Sequence, residues 1–335
     1  MRNFMRAVAV AALVLGFCFQ ASAQWIYTPE TGRWVNVKRL PKETAELQIE
    51  YARSLMLQGD YKKAIRETDK FSDYYADDPM ADENQFLRGE IRLAQGKYMD
   101  AAKEFQQVVT VYPDTDMYDK VIAKQYEIGD LYFAKGENNL GDGWWKPFRK
   151  RPFRKSIDVY NMVIANQPFT DAAAEAQFKV GRSHLILDEY MDAALEFRRV
   201  IEDYSTSDWV DDASYALANT YIEASLPPDY DQTPSYLAVS AIDDFNERYP
   251  SDERNTELQP HRGEMRENIA RQRLQTAQFY EKRRKFESAK IYYEVVVDQF
   301  SDTSSAEAAQ NWLASYRSGG AAAVLDEAGE QAAVQ

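Results

Sequence analysis

The strongest chemical character of this chain lies in a short stretch where cations alternate with aromatic rings. The stretch GWWKPFRKRPFRK, residues 143–155, contains no acid, although the 335-residue chain has a formal net charge of -14. Such a stretch suits an anionic partner: lipid headgroups, an acidic protein face or the acidic body of this same chain. The structural alternative is a loop whose rings fold back on the protein. The residues assigned to a partner or membrane contact are Trp144, Trp145, Lys146, Phe148, Arg149, Lys150, Arg151, Arg154 and Lys155.

Residues that could carry catalysis or hold a metal are sparse. His184 and His261 lie far apart in the sequence and neither has metal-ligand spacing. The sequence has no phosphate-binding glycine loop and no Gly-x-Ser-x-Gly motif. Its acidity argues against nucleic acid, because phosphate contacts need clustered cations. We therefore predict a protein that is not an enzyme and has no cofactor, metal or small-molecule substrate.

The first 23 residues have the pattern of a cleaved export signal. Two arginines precede an apolar run over residues 7–19, and the small residues Ala21-Ser22-Ala23 follow. This order predicts cleavage between Ala23 and Gln24. The apolar run is short for a membrane span, and no second run of spanning length follows it.

The single cysteine, Cys18, lies inside this segment. A lipoprotein signal would place a small residue before the lipid-bearing cysteine, whereas this chain has the bulky Phe17. We therefore expect ordinary cleavage and no lipid anchor at Cys18. After that cleavage the chain would have no disulfide and no thiolate metal site, so packing would have to provide its stability.

An internal repeat organises the rest of the chain. Tyr98 is followed three, seven and ten residues later by Ala101, Phe105 and Val108, and Pro113 then ends the copy. These offsets lie on one face of an α-helix, and proline stops a helix. We call this series the ladder. Further copies of the ladder begin at Tyr61, Phe153, Tyr190, Ser235 and Phe286.

Each copy of the ladder has a helical partner. A small residue stands nine positions before four of the lead residues, which predicts the contact point of a preceding helix. Tight turns are predicted between the paired helices, as at Gly59-Asp60, Gly96-Lys97 and Asp188-Glu189. These features resemble the tetratricopeptide repeat and predict an all-α, tetratricopeptide-type α-solenoid of about six helix pairs. The small residues are Ala52, Gly89, Gly181 and Ala277.

The repeats divide the chain into predicted regions. We expect the solenoid to be interrupted by an insertion and by a loop, because the spacing of the lead residues exceeds that of the ideal repeat. An ordinary helix bundle has less support, since six copies keep one internal order. The predicted regions are a signal peptide over 1–23, an N-terminal arm over 24–44, the solenoid over 45–316 with its insertion at 137–152 and loop at 225–235, and a disordered acidic tail over 317–335.

Two further segments contain residues that the repeat pattern does not explain. The N-terminal arm has a Thr-Gly turn signal, and it either packs on the first repeat or docks a partner. The loop of the fifth pair has a proline pair and Asp, which predicts an ordered connector or a partner contact. The candidate contact residues are Trp25, Tyr27, Arg33 and Trp34 in the arm, and Pro227, Pro228, Tyr230, Asp231 and Gln232 in the loop.

The export signal, the repeats and these loops together resemble the BamD family of the outer-membrane β-barrel assembly machinery. The likeness is strongest over residues 165–315, for example in Asn166-Gln167-Pro168-Phe169 and in Phe279-Tyr280-Glu281-Lys282-Arg283. A long first helix in the sixth pair, from Arg262 to Lys282, also fits. The resemblance implies a periplasmic scaffold at the inner face of the outer membrane. It would bind the central barrel-assembly protein, with nascent outer-membrane proteins as further partners. A peripheral membrane contact is predicted from the basic stretch at 143–155.

The alternative is a repeat scaffold of the YbgF type, which is linked to cell-envelope constriction or peptidoglycan synthesis. That family carries an N-terminal coiled coil. No run of heptads lies between Gln24 and Ala45, and this favours the BamD-like interpretation.

Overall fold

The computed structural model describes residues 25–29, 32–36, 40–140 and 149–318. Within these ranges two short strands precede thirteen helices, which confirms the all-α, tetratricopeptide-type fold class. The strands are β1 (Trp25–Thr28) and β2 (Arg33–Asn36). The helices are α1 (Ala45–Leu57), α2 (Tyr61–Tyr74), α3 (Ala81–Ala94), α4 (Tyr98–Val111), α5 (Tyr118–Leu140), α6 (Arg151–Asn166), α7 (Asp171–Ile186), α8 (Tyr190–Asp203), α9 (Val210–Ala224), α10 (Thr233–Arg248), α11 (Arg254–Lys282), α12 (Phe286–Gln299) and α13 (Ser304–Arg317).

The chain forms two compact units that divide between Ile128 and Gly129, inside α5. In the first unit, α1 packs against α2 and α3 packs against α4. In the second unit, α7 pairs with α8, α9 with α10, and α11 with α12, while α13 packs against both α11 and α12. Within each unit, neighbouring helices of successive pairs also touch, namely α2 with α3, α6 with α7, α8 with α9 and α10 with α11, so these pairs bury apolar faces against one another.

Tight turns join the paired helices where the sequence predicts them. Gly59 and Gly96 have φ angles of +79° and +72°, and Asp188 has a φ of +62°. Glycine adopts this left-handed region without steric cost, and Asp tolerates it better than most residues. Arg284, with a φ of +57°, occupies the same position in the turn between α11 and α12, although an arginine does not by itself predict a turn.

The ladder forms the core. In all six pairs the residues at offsets three, seven and ten are buried, whereas only two of the six lead residues are. The fully buried rings at offset seven include Phe105 and Phe197. Burying such a side chain contributes roughly 2 kcal/mol, so these positions hold the repeats together.

Small residues on the first helix of a pair make room for these rings. A Cβ placed on Gly89 would lie 2.5 Å from a ring carbon of Phe105, and one on Gly181 would lie 2.7 Å from Phe197. These contacts confirm the predicted role of the two glycines. Two further cases lie on α5 and were not predicted: Gly129 meets Tyr160, and Gly136 meets Phe153, the ring at offset zero of α6.

A second recurring link is polar. Gln48 on α1 donates to the backbone oxygen of Glu67 on α2 at 2.8 Å and to its carboxylate at 3.0 Å. Gln85 makes the same pair of bonds to Glu104 nineteen residues later, and the Gln177 amide donates to the side chain of Glu196. The constant separation of Gln and Glu was a signal available in the sequence.

Three predicted boundaries need correction. The insertion predicted over 137–152 has helix at both ends, because α5 continues to Leu140 and α6 begins at Arg151. The loop predicted over 225–235 ends earlier, since α10 begins at Thr233. Helix α11 begins at Arg254 and contains Pro260, whereas the sequence predicted a start at Arg262. Its early turn is retained because Leu258 is fully buried.

Candidate protein-interaction surfaces

The N-terminal arm is a β-hairpin. Strands β1 and β2 are antiparallel, with Trp25 opposite Asn36 and Tyr27 opposite Trp34. The predicted Thr-Gly turn is confirmed: Gly32 has a φ of +63° and its N–H donates to the Thr28 carbonyl at 2.9 Å. Opposed residues in an antiparallel pair share a face, and alternate residues do too. Trp25, Tyr27 and Trp34 therefore lie on one face of the hairpin.

This aromatic face is largely in water. Trp25 is 56% exposed, Tyr27 53% and Trp34 68%. The rings of Tyr27 and Trp34 meet edge to face with their centroids 5.9 Å apart. Arg33 is exposed as well, whereas Thr28 is buried. Of the two alternatives for the arm, burial of these rings against the first repeat is not what the structure shows, and the rings are available to a partner.

Hydrogen bonds hold the segment after the hairpin against the first helix pair. The Tyr75 hydroxyl donates to the Lys42 carbonyl at 2.5 Å, and the Lys42 N–H donates to the Gln48 side chain at 2.7 Å. Thr44 then caps α1 by accepting from the Leu47 N–H at 3.2 Å. These bonds fix the residues that lead into the repeats.

The basic stretch is only partly described. Trp144, Trp145, Lys146 and Phe148 lie outside the described residues. The remainder opens α6, where Phe153 is fully buried and meets Phe133 edge to face at 5.3 Å. Phe153 thus takes its predicted ladder position. This ring therefore packs on the protein itself, which is the structural alternative given for the basic stretch.

Two of the cations pair with this same chain. Lys150 binds the side chain of Asp188, and Arg154 binds Glu189 at 2.5 Å. These acids form the turn between α7 and α8, so the next pair neutralises Lys150 and Arg154 at the start of α6. The acidic body of the chain was one of the three candidate partners, and for Lys150 and Arg154 it is a partner. The sequence predicts only a turn at Asp188 and Glu189.

The remaining cations differ in their surroundings. The Lys155 ammonium lies 5.3 Å from the centre of the Tyr132 ring. Arg151 is exposed and Arg149 half-buried, and neither forms an ion pair with any residue in the described ranges. These two arginines remain candidates for an external anionic partner.

Glu189 is the centre of a small charged cluster. It accepts from His184 Nδ1 at 2.9 Å while it binds Arg154. Partial burial alone would raise the pKa of Glu189, but the bonds from His184 and Arg154 outweigh burial and hold the pKa below its usual value.

The ligand atoms of His184, Glu189 and Asp192 lie within 4.8 Å of one another. Glu189 is the N-cap of α8 and Asp192 lies in its first turn. Carboxylates are favourable at both places without a metal, because they complement the helix dipole. The other histidine, His261, faces Glu264 at 3.6 Å on one exposed turn of α11.

The loop of the fifth pair is ordered by one buried side chain. Gln232 is 2% exposed, and its amide donates to the backbone oxygens of Leu226, Pro227 and Tyr230 at 2.9 to 3.1 Å. Gln232 is therefore an internal clasp, and its assignment as a partner contact is wrong. Asp231 accepts from both the N–H and the hydroxyl of Thr233, which starts α10.

The outer side of this loop is apolar. Tyr230 is 59% exposed and Leu226 50% exposed, Pro227 is exposed and Pro228 half-buried. The loop is also tied to α11, since Gln275 donates to the Asp229 carboxylate at 2.8 Å. A rigid loop that presents apolar groups loses little entropy on binding, which suits a protein contact.

None of the thirteen helices in the described ranges combines the length and the apolar composition that a membrane span requires. The predicted cleavage site at Ala23 and Gln24, Cys18 and the tail from residue 319 lie outside the described residues.

The helix pairs and their glycine-to-ring contacts define a tetratricopeptide-repeat protein, and a tetratricopeptide repeat family matches residues 83–115. A second family, YfiO, described as outer membrane lipoprotein, matches residues 146–331, which is more than half of the chain. The chain belongs to this outer membrane lipoprotein family. It is a BamD-like repeat protein, and families of this kind are generally non-catalytic interaction scaffolds.

A curated relative is the outer membrane protein assembly factor BamD of Caulobacter vibrioides. It is 21% identical over 175 residues, and the match covers 52% of this chain and 55% of the relative. The chain therefore spans about half the length of the curated relative it matches.

Solved structures of similar proteins include two tetratricopeptide-repeat proteins. The protein from Thermus thermophilus is 14% identical with a TM-score of 0.31, over 66% of this chain and 98% of that chain. The protein from Parabacteroides merdae is 15% identical with a TM-score of 0.32, over 76% and 92%. Since both TM-scores are low, the fold assignment rests on the helices and their contacts.

Proposed function

We propose that this protein is a non-enzymatic scaffold of the outer-membrane protein assembly machinery, which acts at the periplasmic face of the outer membrane. The observation that carries the proposal is the family match over residues 146–331, which runs through α6 to α13. The BamD of Caulobacter vibrioides, named as an assembly factor, supports the same process. In this proposal the central barrel-assembly protein is the principal partner, and unfolded barrel proteins are further clients.

Within the matched region, the loop over 225–232 is the surface we assign to the barrel-assembly protein. Its exposed Leu226 and Tyr230 supply apolar contact area, and the Gln232 clasp holds the loop in one conformation. Interface hot spots are commonly such aromatic anchors on ordered backbone. Arg149 and Arg151 form a second, charged contact in this proposal.

Purified components test the loop directly. Isothermal titration of this protein with the periplasmic part of the barrel-assembly protein is expected to show binding. Replacing Leu226 and Tyr230 with Ser is expected to weaken that binding by about tenfold, because hot-spot truncations cost more than about 1 kcal/mol. Phe169→Ser is the matched control, since Phe169 is 91% exposed and lies outside the loop.

Two results would count against the proposal. Absence of binding by the unaltered protein would remove the barrel-assembly protein as a partner. Equal affinities for the loop variant and the Phe169→Ser control would move the contact away from the loop.

A further inference from the structure

We propose that the aromatic face of the N-terminal hairpin, formed by Trp25, Tyr27 and Trp34, binds the interfacial zone of an anionic lipid bilayer. The inference deepens the proposed function by naming a lipid surface as a second partner, and it rests on that function for the site of action at a membrane.

The ring types fit this partner. Trp and Tyr have an apolar body and one polar N–H or O–H, and they are enriched where the hydrocarbon of a membrane meets water. All three rings of this face are more than half exposed. They also sit together, because Tyr27 and Trp34 are opposed and Trp25 is two residues along the same strand. One flat contact could therefore bury all three rings.

The backbone sets the depth of that contact. A two-stranded hairpin has two edges whose N–H and C=O groups are unpaired within it, and these groups require water or other partners. The hairpin therefore cannot enter the hydrocarbon core, whereas it can lie flat with its rings at the headgroup level. An isolated two-stranded hairpin is also marginally stable in water, so burial of one face would stabilise it.

The charge of the segment selects an anionic surface. Between Gln24 and Lys42 the sequence contains one acid, Glu30, while the whole chain has a net charge of -14. An anionic bilayer therefore repels most of the protein and attracts this end. The cations of the segment are Arg33, Lys38, Arg39 and Lys42.

A lipid surface fits better than a protein pocket. Aromatic hot spots in protein interfaces lie in well-packed, complementary pockets of the partner. Here three rings form one continuous face, with Tyr27 and Trp34 in direct contact at 5.9 Å between centroids. A bilayer interface accepts such a face without any shape complementarity.

The first test uses tryptophan fluorescence of the chain that starts at Gln24. Vesicles of phosphatidylethanolamine and phosphatidylglycerol would contain lipids brominated near the headgroup. We expect quenching of the unaltered protein and loss of most of that quenching in a Trp25→Phe, Trp34→Phe double variant. Quenching that survives in the double variant would assign the contact to other tryptophans, and absence of quenching would exclude contact; either result overturns the proposal.

The second test measures partitioning by vesicle sedimentation. Replacing Trp25, Tyr27 and Trp34 with Ser is expected to lower the partition coefficient by about tenfold, because the buried apolar area is lost. Phe169→Ser is the control, because Phe169 is 91% exposed and lies outside the hairpin, and this variant should partition like the unaltered protein. Circular dichroism would verify that all variants keep their helices.

Two further outcomes would overturn the proposal. Equal partitioning of the triple variant and the unaltered protein would contradict it. Concentration-dependent self-association without lipid, abolished in the triple variant, would identify a second copy of this chain as the occupant. Because these assays contain no protein partner, their failure leaves the proposed binding of the barrel-assembly protein untouched.

Discussion

In the hairpin Trp34 leaves 68% of its surface in water, whereas Phe153 at the start of α6 is fully buried. Both belong to segments in which aromatic rings lie beside cations. Phe153 occupies a ladder position, so its ring packs in the core of the repeats. Arg154, next to it, pairs with Glu189. Trp34 lies outside the repeats, and its ring remains exposed. Composition alone therefore does not identify a surface; the position of the residue relative to the repeat does.

The largest expected effect tests this contrast in stability. Phe153→Ala should lower the free energy of unfolding by about 3–5 kcal/mol, because it removes a fully buried ring and leaves a cavity. Trp34→Ala should change it by less than about 0.5 kcal/mol, as exposed substitutions do. Urea unfolding followed by circular dichroism measures both variants. Equal shifts in the two midpoints would contradict the contrast.

The next effect concerns the glycine that accommodates Phe153. A Cβ on Gly136 would lie 2.6 Å from the Phe153 ring, so Gly136→Ala should destabilise the protein by about 1–3 kcal/mol through overpacking. Gly263 is also helical, but a Cβ there would meet nothing within 4 Å. Gly263→Ala should therefore stabilise the protein by up to about 1 kcal/mol through helix propensity. Thermal unfolding of both variants checks the opposite signs.

The smallest effect concerns the ion pairs at the start of α6. Changing Lys150 and Arg154 to Gln should cost no more than about 1 kcal/mol, since Arg154 is 63% exposed and solvent screens the pair. A larger loss would mean that these cations do more than join α6 to the next turn. The charge-retaining variant Arg154→Lys serves as the control.

The bonds made by Glu189 also predict how the stability of the folded protein changes with pH. Because the bonds from His184 and Arg154 hold the pKa of Glu189 below its ordinary value of 4.5, these bonds stabilise the folded protein above that pH. The contribution is lost as the pH falls through the lower folded value. Acid titration of the unfolding midpoint should show a smaller acid loss in the Lys150→Gln, Arg154→Gln variant than in the unaltered protein.

The sequence predicts the helical repeat well because one local period carries it. Tyr98, Ala101, Phe105 and Val108 define a face, and Gly96 marks the turn before it. Boundaries are harder to predict, because they depend on competition between local signals and packing. Pro260 argues for a helix start after it, but burial of Leu258 draws the preceding turn into α11.

The interaction surfaces are less readable from sequence because partners within the chain are distant in sequence. Asp188 lies 38 residues from Lys150, and no local sequence pattern predicts that the two residues pair. Gln232 looked like a contact residue on a proline-rich loop, yet its amide holds the loop from inside. Three-dimensional contacts decided both cases.

The most direct measurement of the central claim is mass spectrometry of the proteins that co-purify with this chain from envelope extracts in mild detergent. A scaffold of outer-membrane assembly is expected to retain the barrel-assembly protein, and to retain it also in the Lys150→Gln, Arg154→Gln variant, whose cations serve the chain itself. Recovery of peptidoglycan-synthesis or constriction proteins without the barrel-assembly protein would contradict the account.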